Sequence, residues 1–257
     1  RAANCAADGL PANFTSNIVD FTTRGSLSGN TELENETADS WTIGAVFTPT
    51  FAPGLTLSVD WVDIALEGAI QSVDAEGTLE ACYDANDFPN SACDRIDRDG
   101  AGQVEFIRTG YLNVASYDYQ GVIADLRWTE ATPFLGADSR ISLRGSYQYI
   151  DKLEQQVGTG DLSTFRGSPG YSKHQATVGV TYENNGFGAF TQIQYIGENV
   201  VDPDAAPTSY QFFERDEIVY MDAGISFRTE NDFTFRFIVE NLFDRSAPYP
   251  APTGGGL

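Results

Sequence analysis

Three cysteines and a single histidine are the residues of this chain most able to do chemistry, and their spacing limits what that chemistry is. Cys82 and Cys93 stand eleven positions apart in one acidic stretch, while Cys5 stands alone. Two thiols in one loop point to a disulfide, and a disulfide points to an oxidising compartment such as the periplasm or the cell surface. Zinc is the alternative, but with His174 alone and no Cys-x-x-Cys pair the ligand set is thin. A Cys82–Cys93 disulfide is therefore the expectation, with the partner of Cys5 left open. His174 has no cysteine or serine at a telling spacing, which argues against nucleophilic catalysis and metal binding alike. Asp97-Arg-Asp99-Gly100 hints at a calcium loop, yet Arg95 and Phe106 occupy positions where acids would have to ligate. Asp60 and Asp63 have opposite strand parity, so they cannot work as an acid–base pair. No catalytic residue, cofactor or metal is expected, and the chain reads as a non-enzyme.

Composition narrows the partners. The 257 residues carry a net charge of -22, with 41% hydrophobic and 12% aromatic content. Such an excess of acid excludes nucleic acid, whose phosphates demand Lys and Arg. Eight of the acids, Asp74, Glu76, Glu80, Asp84, Asp87, Asp94, Asp97 and Asp99, crowd into one predicted connection. No apolar run approaches the ~20 residues of a membrane-spanning helix. A barrel strand would escape that test, because its residues alternate. No secretory signal opens the chain, and both ends suggest an internal piece of a longer protein.

The elements that must position these residues are strands. From Ser139 to Ile150, the residues Ile141, Leu143, Gly145, Tyr147 and Tyr149 face one way; Arg140, Ser142, Arg144, Ser146 and Gln148 face the other. A period of two with one apolar and one polar face predicts a half-wetted β-strand. The same alternation predicts strands at 41–48, 55–61, 104–128 (with its pattern interrupted around 116–120), 139–150, 175–182, 187–196, 219–228 and 233–241, eight in all. Short connections (48–54, 129–138, 183–186, 229–232) alternate with long ones (67–102, 151–171, 197–215 and everything after Phe243). Short turns at one end and long loops at the other are the plan of an outer-membrane barrel. Phe47, Trp128, Tyr182, Phe187, Phe227 and Phe233 flank the short turns on the apolar parity, as an interfacial aromatic belt requires. Parity places Ile141, Leu143, Tyr147, Val178, Val180, Ile225, Phe235 and Phe237 toward lipid, and Arg140, Arg144, Asp222 and Arg236 toward a wet lumen.

One segment carries a family signal. Asn241-Leu242-Phe243-Asp244, ending a strand and followed by Pro248 and Pro250, resembles the Asn-Leu-Phe-Asp box near the C-terminus of TonB-dependent outer-membrane receptors. The stretch from Gly29-Asn30 through Leu33 and Glu36 to Trp41 and Gly44 is similar to that family's Gly-Asn-Pro-x-Leu-x-Pro-Glu segment, with Thr31 and Asn35 in place of its prolines. The stretches 54–64, from Asn113 to Val122, and 208–242 resemble family strands in the same order. Ile123 stands where that pattern has an acid. The resemblance implies an all-β antiparallel transmembrane barrel of about 22 strands, of which this chain would hold roughly strands 14 to 21, without the N-terminal plug. It implies residues 1–38 as an extracellular loop region, 39–242 as the strands and 243–257 as the final extracellular loop. The implied function is energy-coupled uptake of a scarce siderophore, vitamin or oligosaccharide across the outer membrane of a Gram-negative bacterium. The implied partners are outer-membrane lipid, the extracellular ligand, and the TonB complex acting through the plug. A passive porin-like barrel and a soluble β-sandwich binding module are the alternatives.

Overall fold

The computed structural model describes residues 1–16, 18, 22–158 and 162–247. In chain order the elements are α1 (Ala2–Ala7), β1 (Arg24–Ser28), β2 (Thr37–Phe47), β3 (Thr56–Val73), α2 (Ala75–Tyr83), β4 (Ile96–Arg98), β5 (Val104–Ala131), β6 (Arg140–Val157), β7 (Ser163–Thr164), β8 (His174–Asn184), β9 (Phe187–Ile196), β10 (Asn199–Val200), β11 (Glu214–Arg215), β12 (Ile218–Arg228) and β13 (Thr234–Val239). Eight of the strands run in the order β13-β12-β9-β8-β6-β5-β3-β2, each hydrogen-bonded to the next. They are the eight that the alternation predicts. Among the described residues the two ends of this order, β2 and β13, do not pair with each other, so the sheet is open.

Several connections hold more structure than their sequence suggests. The segment 1–35, expected to be a loop, contains α1 and β1, and β1 pairs in parallel with β5 from Arg24↔Phe106 to Ser28↔Gly110. The strand region opens at Thr37 rather than 39, and β13 ends at Val239 rather than 242. The connection expected at 67–102 contains the end of β3, α2 and β4. The one expected at 151–171 contains the end of β6 and β7, and the one at 197–215 contains the small β10–β11 ladder. β5 is one uninterrupted strand of 28 residues across the 116–120 break in pattern. The residues after 247, including Pro248 and Pro250 and most of the proposed final loop, lie outside the described residues.

The chain divides into two compact units. The first comprises Arg1–Asp39, Ile64–Asp118 and Glu154–Ser163. Its core gathers Val73, Ala81, Cys82, Tyr83, Ala92 and Leu112 around the Cys82–Cys93 disulfide. α2 forms because Asp74 caps it, accepting a hydrogen bond from the Gly77 amide at 2.8 Å, with Glu76 in the favourable first turn. An Arg98–Tyr83–Asp8 cluster ties the segment after α1 to α2 and β4. Arg98 donates to the Tyr83 hydroxyl at 2.8 Å and to the Gly102 carbonyl at 2.7 Å, and its guanidinium lies 3.4 Å from Asp8. Tyr83 in turn donates to Asp8.

The second unit comprises Ser40–Asp63, Tyr119–Leu153 and Thr164–Leu257. Its hairpins are set by turn chemistry. Asn185 (φ 35°) and Gly186 (φ 93°) link β8 to β9 with both central residues left-handed, the two-residue turn whose twist suits a hairpin. Gly54 adopts φ +79° between β2 and β3, and a Cβ added there would stand 2.3 Å from the Thr129 carbonyl oxygen, so only glycine fits. Strands β2, β8, β9 and β12 have 10 or 11 residues, the length a tilted strand needs to cross a bilayer.

Candidate functional site

The register of the second unit sorts its side chains into two faces, because directly opposed residues in an antiparallel ladder share a face. Arg140, Glu183, Gly188, Ser226 and Arg236 line up across β6, β8, β9, β12 and β13. Four residues further along, Arg144, Gly179, Gln192 and Asp222 form a parallel row. The four residues expected at the lumen therefore stand on one face of one sheet. With Asp125 and Arg127 of β5, much of this face borders an open cleft of about 720 Å³ walled by Ser, Thr and Gln. Among the described residues Arg127, Arg140 and Arg144 take part in no ion pair. Such a wall can attract and hydrogen-bond a passing polar solute; it offers no paired nucleophile and base.

The opposite face is apolar. Ile141, Tyr182, Ala189, Ile225 and Phe237 form one row, and Leu143, Val180, Thr191, Ala223 and Val239 the next. Phe187, Phe227 and Phe235 stand opposite one another beside the short turns, with the Phe227 and Phe235 rings 5.4 Å apart. These side chains are open to the surroundings: Phe237 is 58% exposed, Phe235 49% and Ile225 45%. An apolar face this broad is not left in water by a stable protein; it marks contact with another surface or with a membrane.

The residues that carry the family resemblance prove to be structural pins. The Asn113 amide donates to the carbonyls of Glu34 (2.9 Å) and Gly68 (2.7 Å), and its oxygen accepts from the Glu34 amide at 2.8 Å. Asn30 donates to the Tyr111 carbonyl at 3.1 Å, and Glu36 accepts from the Ile70 amide at 2.7 Å. The first half of the 29–44 segment is thus fastened to β5 and β3. The Asn241 box ends β13 in the same way. Asn241 turns through φ 49°, its side chain clasps Arg245 by two hydrogen bonds of 3.0 and 2.9 Å, and its amide donates to the Asp222 carboxylate at 2.8 Å. Leu242 adds a backbone bond to Met221 at 2.7 Å. Asp222 is therefore held by a strand end, which nothing in its own sequence surroundings announces.

The other sequence candidates resolve as structure. Cys82 and Cys93 are joined, with Cα atoms 4.8 Å apart, and Cys82 is fully buried. Cys5 is a free thiol packed against the same core. His174 bonds the Tyr147 hydroxyl at 2.8 Å and stacks with Tyr149. Asp99 closes a turn by accepting from the amides of Ala101 (2.9 Å) and Gln103 (2.8 Å), while Asp97 pairs with Arg108. In the first unit, burial pushes the Tyr83 phenol above its ordinary value, reinforced by the bond to Asp8 and opposed by Arg98. The hydrogen bond from Arg1 holds the Asp84 carboxyl below the usual carboxylate range.

Comparison with known proteins decides the family. The family model for TonB dependent receptor-like β-barrels matches residues 8–242. The chain belongs to the TonB-dependent receptor β-barrel family. No curated protein matches it. Solved structures similar to it include the ferric enterobactin receptor PfeA of Pseudomonas aeruginosa in complex with enterobactin (TM-score 0.55, 13% identity, covering 87% of this chain and 28% of that one). They also include the siderophore receptor PirA of Acinetobacter baumannii (0.53, 12%, 85% and 29%). The outer membrane transporter YddB of Escherichia coli gives 0.55 and 10% identity over 88% of this chain and 31% of that one. The chain spans less than a third of each of these proteins, and identities this low show the fold alone. An open sheet from a TonB-dependent receptor barrel accounts for the two unlike faces, and the soluble-sandwich alternative falls with the family match.

Proposed function

We propose that this chain forms part of the wall and outer vestibule of a TonB-dependent receptor in the outer membrane of a Gram-negative bacterium, taking up a scarce nutrient with energy supplied through TonB. The carrying observation is the pair of faces fixed by register: an exposed apolar face suited to lipid, backed by an arginine-bearing polar face suited to a wet lumen. In this reading Arg140, Arg144, Asp222 and Arg236 face the lumen, and the long connections, including the disulfide-pinned lobe, lie outside the cell. The TonB complex would act through an N-terminal plug, and the ligand would be a siderophore, vitamin or oligosaccharide.

The intact protein carrying this chain, fractionated from cells, should sediment with outer membranes and migrate faster on unheated than on heated gels. Recovery in the buffer-soluble fraction would remove the membrane reading. Energy coupling has its own readout: a plugged receptor in a planar lipid bilayer conducts little, whereas steady open-channel conductance would indicate a passive porin.

A further inference from the structure

Arg215 is a buried cation that the protein leaves incompletely satisfied. It is only 8% exposed. It lies on β11 directly opposite Asn199 of β10, and its Nη1 donates to the Asn199 side-chain oxygen Oδ1 at a long 3.4 Å. Its Nε–H is buried without any acceptor. Among the described residues no carboxylate lies within ion-pair distance of it. Burying a charge without a counter-charge is among the costliest things a fold can do, and an unpaired buried N–H adds to that cost. The arrangement is nevertheless held firmly. Asn199 is oriented by a hydrogen bond of 3.1 Å to Ser172, which is fully buried. The β10 segment is anchored by Val200 to the Gly167 carbonyl at 2.8 Å and by Val201 to the Phe213 carbonyl at 2.8 Å.

Arg215 borders a cavity of about 550 Å³ built from residues 164–173 and 198–216. Arg166 and Lys173 also line it, so three cations converge there. Glu198, Glu214 and Asp216 line it as well, but all three are exposed. Lys173 is exposed too, so Arg215 is the one buried charge among the residues that line the cavity. One added negative charge would neutralise Arg215, whereas a dianion would face the repulsion of three acids. The unpaired Nε–H belongs to the side of the guanidinium that grips the two oxygens of a carboxylate in parallel. The remaining wall is apolar: Val200, Pro203, Ala205, Pro207 and Phe213 would cover a carbon skeleton.

We propose that this cavity binds the carboxylate of an organic acid on the guanidinium of Arg215, with the acid's apolar body against Pro203, Pro207 and Phe213. The binding chemistry stands on the cavity alone. That the acid is an extracellular solute captured for uptake rests on the proposed function above.

The test is a saturation-transfer NMR titration of the intact detergent-solubilised protein carrying this chain, using benzoate, benzamide and inorganic phosphate as probes. Benzoate should bind saturably, and the isosteric but neutral benzamide at least about tenfold more weakly, the loss expected when a charge-assisted bond is replaced. Arg215→Lys, which keeps the charge and loses the fork, should weaken benzoate about tenfold, and Arg215→Met should abolish its binding. Arg24→Gln on the exposed β1 should leave it unchanged. Heat-modifiable gel mobility reports whether each variant is folded; if Arg215→Met is not, Arg215→Lys carries the comparison. Equal binding of benzoate and benzamide, wild-type affinity for benzoate in a folded Arg215 variant, or tighter binding of phosphate than of benzoate would overturn the proposal. The readout needs neither membrane nor TonB, so failure here leaves the uptake reading standing, and failure of uptake leaves the carboxylate cavity standing.

Discussion

Single residues in this protein act mostly as fasteners, and three of them give measurable consequences. Closing an eleven-residue loop through Cys82 and Cys93 restricts the unfolded chain by about 2–3 kcal/mol. Reduction with dithiothreitol should lower the melting temperature of the first unit, and no change on reduction would show that the core around Cys82 holds without the bond. Tyr83 gives a pH dependence. Its folded pKa is raised by burial and by the bond to Asp8, so its contribution to stability is fully present below the ordinary tyrosine value near 10 and is lost as pH rises through the higher folded value. Urea unfolding of the wild type should therefore weaken above about pH 10 more steeply than that of Tyr83→Phe. Asn241 gives the third. Asn241→Ala removes two hydrogen bonds to Arg245 and puts a Cβ-bearing residue with no local side-chain bond at φ 49°, a change worth roughly 1–3 kcal/mol. Slower appearance of the compact band on unheated gels would report it, and wild-type assembly kinetics would remove the box from the strand end. The paired thiols were readable from sequence, because two cysteines in one loop have few other fates. Arg215 was not, since a lone arginine in a polar connection carries no sign of being buried.

At the scale of strands, the account depends on which face meets lipid. Adjacent residues Phe235 and Arg236 of β13 point to opposite faces, and Phe235 lies in register with Phe227 and Phe187. An arginine placed at mid-membrane on the lipid face of a barrel costs about 2–4 kcal/mol, while a lumen side chain is readily trimmed. Phe237→Arg, further from the turn on the same apolar face, should impair barrel assembly far more than Arg236→Ala, compared by the heat-modifiable fraction of each. Equal tolerance would mean that neither face meets lipid. The eight main strands were legible because a wet face and an apolar face force strict alternation. Legibility stopped where that asymmetry stops. The last residues of β6, Asp151-Lys-Leu-Glu-Gln-Gln-Val, are polar except for Leu153 and Val157 and lose the two-sided contrast. Gly68, at φ +62°, breaks the alternation of β3, and the strand continues to Val73 unannounced. β1 is exposed at every residue, so its pairing with β5 leaves no hydrophobic trace. α2 lay hidden among acids that read as loop, although Asp74 is its cap.

At the scale of the molecule, the defining property is an open sheet. β2 and β13 each present a row of backbone donors and acceptors that the other does not satisfy. In the hydrocarbon of a bilayer each unsatisfied group costs several kcal/mol, so an open edge cannot persist there. Soluble sheets blunt such edges with charge, proline or a covering element. β2 instead exposes Trp41, Ile43 and Phe47 on one face along its length, as the proposed contact with lipid requires. The share of the similar receptors that this chain spans, less than a third, agrees with strands supplied from outside these 257 residues. The most direct measurement is to refold the 257-residue chain by itself into detergent micelles and follow it by light-scattering chromatography and by gel mobility with and without heating. The account predicts aggregates or edge-paired oligomers and no compact monomer band. A monomeric, protease-resistant, heat-modifiable barrel formed by this chain alone would contradict it.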